Sequence, residues 1–359
     1  MTGSERQARD GRSDPPPDSG AGQNATEREA APLAVSVALC TYNGARYLDR
    51  QLETILHQTV LPAELVVGDD RSSDNTTARL AAFAARAPFP VRVHVNERQL
   101  GVTQNFAACV ARCRGDVVVL TDQDDLWAPD RVARTRDAFA RDPGLSYTYS
   151  DAPLIDGDDA LVGRMIFDSV PILPVDRARL AHGDDLLPVI LRYGVLYGAT
   201  MAVRREQALA VLPVPAHWSH DEWWSLALSA IGRSCRLDPV TQYRQHAAQV
   251  VGAGNARLST TLQSARNRTL GHYEADAVRQ RAGIAAARAN DALCDTLAPL
   301  LEAKLHFIED RRYLHRAGLA ALPRFARQLA RGGYTRFAGG TRSILKDAAL
   351  MATAWRRRD

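Results

Sequence analysis

A chain of 359 residues with 46% hydrophobic and 24% charged content can bury a large core and carry an accessory region, which excludes a wholly disordered or fibrous protein. Its net charge of +4, from 45 basic and 41 acidic residues, is too balanced for a nucleic-acid-binding surface over the whole molecule. Five scattered cysteines, no apolar run near eighteen residues and no basic start followed by an apolar segment predict a reduced, cytoplasmic chain without zinc site, membrane span or signal peptide.

Residues 1–32 are rich in Gly, Ser, Asp, Arg and Pro, including Pro15-Pro16-Pro17, and read as a disordered tail. From Val35 short apolar runs alternate with amphipathic segments. Strands are expected at Val35–Cys40, Leu65–Gly68, Val91–Asn96 and Val117–Thr121, each followed by a helix: Tyr47–Gln58, Asp74–Ala87, Thr103–Arg114 and Pro129–Arg141. This alternation predicts a doubly wound α/β sheet of parallel strands with right-handed crossovers. After Ser146-Tyr147-Thr148-Tyr149 the pattern becomes irregular through Asp151–Leu180, as where a second half is built around a cleft. Beyond Asn255 the chain turns helical and basic.

Parallel strands place their carboxyl ends, and the loops that follow, at one sheet edge, where such folds bind ligands. Three polar loops converge there. They are Cys40-Thr41-Tyr42-Asn43-Gly44, Gly68-Asp69-Asp70-Arg71-Ser72-Ser73-Asp74-Asn75-Thr76 and Thr121-Asp122-Gln123-Asp124-Asp125-Leu126-Trp127. In the third, Asp122 and Asp124 point the same way along an extended chain and can share a divalent cation such as Mg2+ or Mn2+ carrying a diphosphate. The competing reading is an acidic strand-to-helix loop with Asp125 as a helix cap. Likewise Asp74 caps the following helix, whereas Asp69-Asp70 need a partner.

These segments, with Gly101-Val102-Thr103-Gln104-Asn105-Phe106, His220-Asp221-Glu222-Trp223-Trp224 and Tyr243-Arg244-Gln245-His246, resemble the inverting glycosyltransferases of family 2, especially the bacterial rhamnosyltransferase-like branch. The resemblance implies a GT-A fold over residues 33–254, with a basic helical region over 255–359. It implies a nucleotide-sugar donor held by Thr41, Tyr42, Asn43, Asp69, Asp70, Asn105, Asp122 and Gln123, and a Mg2+ or Mn2+ ion held by Asp122, Asp124 and His246. Asp221 would be the general base that deprotonates an acceptor hydroxyl, although residue chemistry alone also allows a helix cap there. Trp127, Trp223 and Trp224 could stack on sugars, or pack in the core. Where the family pattern continues to an Asn, this chain has Gln249, and Gly252 is kept.

Residues 302–359 carry thirteen Lys or Arg against five acids, interleaved with Leu319, Leu322, Phe325, Leu329, Phe337, Ile344 and Leu345. Such helices could lie on an anionic membrane surface at the inner face of the cell membrane. Solvated faces packed on the catalytic domain, or a dimer contact, are the alternatives. The expected activity is transfer of a sugar to a cell-surface polysaccharide or lipid-linked glycan, with no nucleic-acid partner. A nucleotidyltransferase lacks support, since no Gly-rich, Lys-containing triphosphate loop follows the first strand. A silent sugar-binding scaffold is disfavoured by the intact acids.

Overall fold

A computed structural model describes residues 32–183, 185–246 and 270–355. The tail expected over residues 1–32 lies outside them except at Pro32, as do Gln249, Gly252, Arg356–Arg358 and the expected boundary at 254/255. The chain runs β1 (Val35–Thr41), α1 (Leu48–Leu56), β2 (Glu64–Asp69), α2 (Thr76–Ala84), β3 (Val91–Val95), α3 (Val102–Arg112), β4 (Val117–Thr121), β5 (Leu126–Trp127), α4 (Arg131–Arg141) and β6 (Leu145–Ser150). The four expected strand–helix units are all present, with helix ends within about three residues of expectation. After β6 come β7 (Pro153–Ile155), β8 (Leu161–Met165), α5 (Pro174–His182), α6 (Leu187–Arg192), β9 (Ala202–Arg204), α7 (Arg205–Ala210), α8 (His220–Ile231), β10 (Arg233–Leu237) and β11 (Thr241–Arg244).

Seven strands form the main sheet in the order β10-β6-β9-β4-β1-β2-β3. Every pairing in it is parallel except those of β9, which runs antiparallel to both β4 and β6. Alternation along the strands feeds two cores. Val35, Val37 and Leu39 of β1 and Val117 and Val119 of β4 face the helices α1, α2 and α4. Ala38, Cys40, Val118 and Leu120 face the other way, toward Phe106 and Val110 of α3 and Trp223, Trp224 and Leu228 of α8. A strand buried on both faces favours apolar side chains, and a polar exception within β1, Ser36, is satisfied by donating to Glu64 Oε1 at 2.7 Å.

The second sheet, ordered β5-β11-β7-β8, is small. Its central strand β11 pairs antiparallel with β5 and parallel with β7. Because β5 is the pair Leu126-Trp127 right after the acidic loop, the antiparallel register carries the chain beyond β11 back past Asp124 and Asp125. The carboxyl ends of β1, β2, β4 and β6 and this small sheet therefore bound one cleft.

The C-terminal helices α9 (Leu270–Arg288), α10 (Leu297–Ala317), α11 (Leu322–Ala330), α12 (Gly333–Phe337) and α13 (Thr341–Trp355) are built onto this body. Ile284 and Ala287 of α9 and Leu297 and Leu301 of α10 share the buried cluster of Trp218, Trp223 and Trp224. Farther out, Phe307, Leu314, Phe325, Tyr334, Phe337 and Met351 make a core of their own. The described residues from Leu33 onward form one compact unit.

Candidate active site

β4 delivers Asp122, Asp124 and Asp125 to the cleft edge. No described donor reaches the half-buried Asp122 carboxylate. Burial and then the charges of Asp124 and Asp221 push its pKa up to about 8. Asp124 Oδ2 lies 2.8 Å from His246 Nε2, the contact that the β5–β11 register sets up. Asp125 turns inward, where Oδ1 accepts from the Arg244 backbone N–H at 3.0 Å, while Oδ2 is buried without a partner. Burial raises this carboxyl too, and the neighbouring acids add to the effect. Gln123 faces the β1 loop: its amide accepts from Tyr42 N–H at 2.9 Å and donates to Tyr42 C=O at 3.0 Å. Gly44 is needed for this approach, since a Cβ there would meet Gln123 Oε1 at 2.0 Å.

The β2 loop is tied together from within. Asp69 accepts from Thr41 Oγ1 at 2.7 Å, Ser72 Oγ at 2.6 Å and Ser72 N–H at 2.9 Å. Asp70 accepts from Leu100 N–H, Gly101 N–H and Asn96 Nδ2 at 2.7, 2.8 and 2.9 Å. With three donors each, both carboxylates have about one acceptor position left for a ligand. Asn105 is buried, its Nδ2 donating to Gly68 C=O at 2.7 Å; it braces β2 instead of presenting its amide to the cleft. Exposed positions at the rim are Tyr42 and Asn43, the latter in the left-handed region with φ 49°, its Oδ1 accepting from Ser73 N–H.

On the opposite wall, Ser219 caps α8 by accepting from Glu222 N–H. Ser219 is the N-cap residue, and Asp221 in the first turn shares that N–H while its carboxylate lies within electrostatic reach of Asp122. Its Oδ1 accepts from Ser219 Oγ at 2.5 Å and Glu222 N–H at 2.9 Å, and Oδ2 accepts from Gly198 N–H at 3.1 Å. Three donors fix the rotamer of a half-buried carboxylate. Its charge acts on Asp122, so the two acids share the cleft from different elements.

The expectation of sugar stacking by Trp127, Trp223 and Trp224 is corrected. All three rings are buried, and each indole N–H is used inside: Trp127 to Thr121 Oγ1 at 3.2 Å, Trp223 to Val211 C=O at 2.8 Å and Trp224 to Ala208 C=O at 3.1 Å. An aromatic with its polar handle satisfied internally is core packing.

Several site residues were given no role by the sequence. Buried Arg244 donates through Nε to Asp124 C=O at 2.6 Å and through Nη1 to Asp156 C=O at 2.7 Å, bracing the acidic loop. Arg131, also buried, donates to Leu120 C=O and Thr241 Oγ1 and its charge opposes that of Asp122. Tyr197 and Tyr243 pair with ring centroids 5.8 Å apart. Burial raises both phenols, and the charges of Asp221 and Asp151 act on Tyr197 while those of Asp122, Asp125 and Asp124 act on Tyr243. Tyr243 and Arg244 stood in a segment that carries the resemblance, without a role of their own, and nothing pointed to Arg131 or Tyr197.

Both the sequence of this chain and its fold are matched by known proteins. Residues 36–156 fit the model of the family described as "Glycosyl transferase family 2". The chain carries a family 2 glycosyltransferase domain. It is 28% identical over 193 residues to an uncharacterized glycosyltransferase of Nostoc sp., covering 52% of this chain and 56% of that protein. It is 31% identical over 128 residues to the chondroitin synthase of Escherichia coli, covering 36% of this chain and 18% of that one. The chain thus spans little more than half of the first relative and less than a fifth of the second. Among solved structures, S. aureus TarS 1-349 in complex with UDP-GlcNAc superposes with TM-score 0.52 at 14% identity, over 91% of this chain and 93% of that one. That likeness shows a GT-A fold.

Proposed function

We propose that this protein transfers a sugar from a nucleotide-sugar to a hydroxyl of a glycan or lipid-linked glycan, in one displacement that inverts the anomeric centre. The observation that carries the reading is the separation of duties across the cleft. Asp122 and Asp124 stand together on the β4 loop, while Asp221 is held by its own donors on α8. Asp221 accepts the proton of the acceptor hydroxyl as its oxygen bonds to the anomeric carbon, and the bond from that carbon to the diphosphate breaks, its electron pair leaving with the nucleoside diphosphate.

The donor set suits a hard divalent cation. Asp122 is acidic, unpartnered by any described donor and burdened by neighbouring negative charge, which a cation would offset. Among the described residues no three His, Cys, Asp or Glu side chains gather as a self-sufficient metal site. One or two carboxylates completed by substrate phosphates is the usual way such an ion is held beside a diphosphate. Asp122 and Asp124, with His246, would hold Mg2+ or Mn2+, whose charge offsets that of the departing diphosphate. Thr41, Tyr42, Asn43, Asp69, Asp70 and Gln123 would shape the donor site around it, the last by fixing Tyr42.

A polysaccharide or lipid-linked acceptor is supported by the name of the E. coli relative, a chondroitin synthase. No described helix is long and apolar enough to cross a membrane. Leu319, Leu322, Leu329 and Leu345 are nonetheless exposed beside the exposed Arg331, Arg336 and Arg342. That combination suits a peripheral position on an anionic leaflet, at the cytoplasmic face, where a lipid-linked acceptor would be met.

Release of nucleoside diphosphate from a panel of UDP- and GDP-sugars with Mn2+ tests the activity. Turnover of at least one donor, abolished by a chelator, is expected. No turnover together with no thermal stabilisation by any donor at millimolar concentration would contradict it.

A further inference from the structure

The loop that carries Asp221 is gripped from behind by a helix outside the family 2 match. Arg279 of α9 makes three contacts with it. Its carbonyl accepts from Trp218 Nε1 at 2.8 Å, its guanidinium carbon sits 4.7 Å over the Trp218 ring, and Nη1 donates to Glu222 Oε1 at 2.8 Å. The helix comes this near because Gly283 has no side chain; a Cβ there would lie 3.0 Å from Trp218 Nε1. A small cavity of about 40 Å³ lies at this junction, lined by Arg192, Tyr193, Trp218, Glu222, Arg279 and Lys304.

The Ser219 hydroxyl has one proton and two carboxylate neighbours: Asp221 Oδ1 at 2.5 Å and Glu222 Oε2 at 3.1 Å. It can donate to one of them at a time. Paired with Arg279, the Glu222 carboxylate has its charge offset and is drawn toward α9. Without that partner a half-buried anion would compete for the same proton, and Asp221 would lose a donor that favours its charged form. Other charges facing Glu222 are Lys304 and, beyond it, Asp276. Among the described contacts Lys304 makes no hydrogen bond to Glu222, and Asp276 is an acceptor only.

We propose that Arg279 is a positioning residue for the Asp221 carboxylate: by neutralising Glu222 and seating Trp218, it reserves the Ser219 hydroxyl for Asp221. This rests on the reading of Asp221 as the base. The C-terminal helices are then part of the catalytic apparatus, although Arg279 touches no reacting atom.

The test compares wild type, Arg279→Met, Arg279→Lys and Arg279→Met with Glu222→Gln, all in the full chain. Using whichever UDP- or GDP-sugar of the panel is turned over, Arg279→Met should lower kcat about tenfold or more with donor KM within about twofold, since a small displacement of a catalytic group is costly. The acid limb of its pH profile should move upward. Arg279→Lys should keep most of the activity, and Glu222→Gln should restore part of what Arg279→Met loses, because it removes the competing charge. Unchanged kcat in Arg279→Met, or a double variant no better than the single one, overturns the proposal. Amide hydrogen exchange at Gly198 gives a reading without turnover: faster exchange in Arg279→Met but not in Arg279→Lys supports the coupling, and no change opposes it. If wild type turns over no donor while exchange responds, the assigned function fails and the coupling stands. Should Arg279→Met not fold, Arg279→Gln, which also removes the charge opposite Glu222, takes its place in every comparison, and wild-type kcat and Gly198 exchange in that variant overturn the proposal.

Discussion

At the scale of residues, Asp122 is a side chain whose environment opposes its charge. Its folded pKa of about 8 lies far above the ordinary carboxylate value because of burial and the acids around it. A folded pKa above the unfolded one means the native state holds the proton more tightly. The stabilising contribution is therefore full below the unfolded value near pH 4 and is lost as pH rises toward 8. Asp122→Asn should raise metal-free stability, and with it the melting temperature, more at pH 8 than at pH 5, the difference in unfolding free energy being about 1–2 kcal/mol after allowing for solvent access. The same variant should lose Mn2+-dependent nucleotide binding. Calorimetric scans at the two pH values check the first part, and equal shifts at both would contradict it. The acids were legible in the sequence because three carboxylates after an apolar run need an explanation. Their partners were not. Asp70 is satisfied by the backbone N–H groups of Leu100 and Gly101, and main-chain donors leave no mark in a sequence.

The tryptophans show the same limit from the other side. Trp223 and Trp224 stood in a motif beside Asp221, which suggested ligand contact, but their burial depends on α7 and the C-terminal helices packing over α8. Trp224→Ala should lower stability by about 3–5 kcal/mol through the cavity left behind. Donor affinity of the remaining folded protein should be unchanged. Urea unfolding together with nucleotide titration separates the two effects.

Among elements, the four leading strand–helix units were readable because β1, β2 and β4 are apolar runs, β3 alternates Val with Arg and His, and each helix carries one apolar stripe. β9 was not, being three residues long and antiparallel, and β10 is half-buried with Arg233 and Arg236 in it. β7 and β11 depend on pairing with each other across more than eighty residues, and no local period announces that; β8 pairs with β7 alone. The basic arm also changes meaning at this scale. Arg311 makes two buried hydrogen bonds to Asp347, at 2.7 and 2.8 Å, and Tyr334 adds a third. Arg327 pairs with Asp310, and Arg316 with Glu274. Part of the arm's positive charge is therefore internal structure. Asp347→Asn should cost about 3–5 kcal/mol, because it leaves Arg311 buried without its counter-charge; thermal melts of the variant measure it. Removing everything from Gly333 onward would take Tyr334, Phe337 and Met351 from a core, so truncation would unfold the arm and say nothing about membranes.

For the whole molecule, the charges that remain outside decide whether the protein meets a membrane. Arg331 and Arg342 are exposed, and each basic residue near an anionic leaflet contributes about 1 kcal/mol. Replacing both by Ser should weaken binding to phosphatidylglycerol vesicles roughly 30-fold at low salt. Melting behaviour and turnover of a soluble donor should not change. Co-sedimentation with anionic and zwitterionic vesicles tests this, and equal binding to both kinds would contradict the charge-based account. Oligomerisation through the exposed leucines would appear instead as a concentration-dependent mass without vesicles.

The central claim is that Asp221, on its own wall of the cleft, takes the acceptor proton while the Asp122–Asp124 loop attends to the diphosphate. The most direct measurement pairs donor affinity with single-turnover transfer in wild type and Asp221→Asn. The account predicts donor binding within about twofold of wild type and transfer slowed by about 100- to 10,000-fold, the usual contribution of a positioned general base. Transfer at near wild-type rate under saturating donor and acceptor would show that Asp221 is a structural residue of the α8 turn and that the base lies elsewhere.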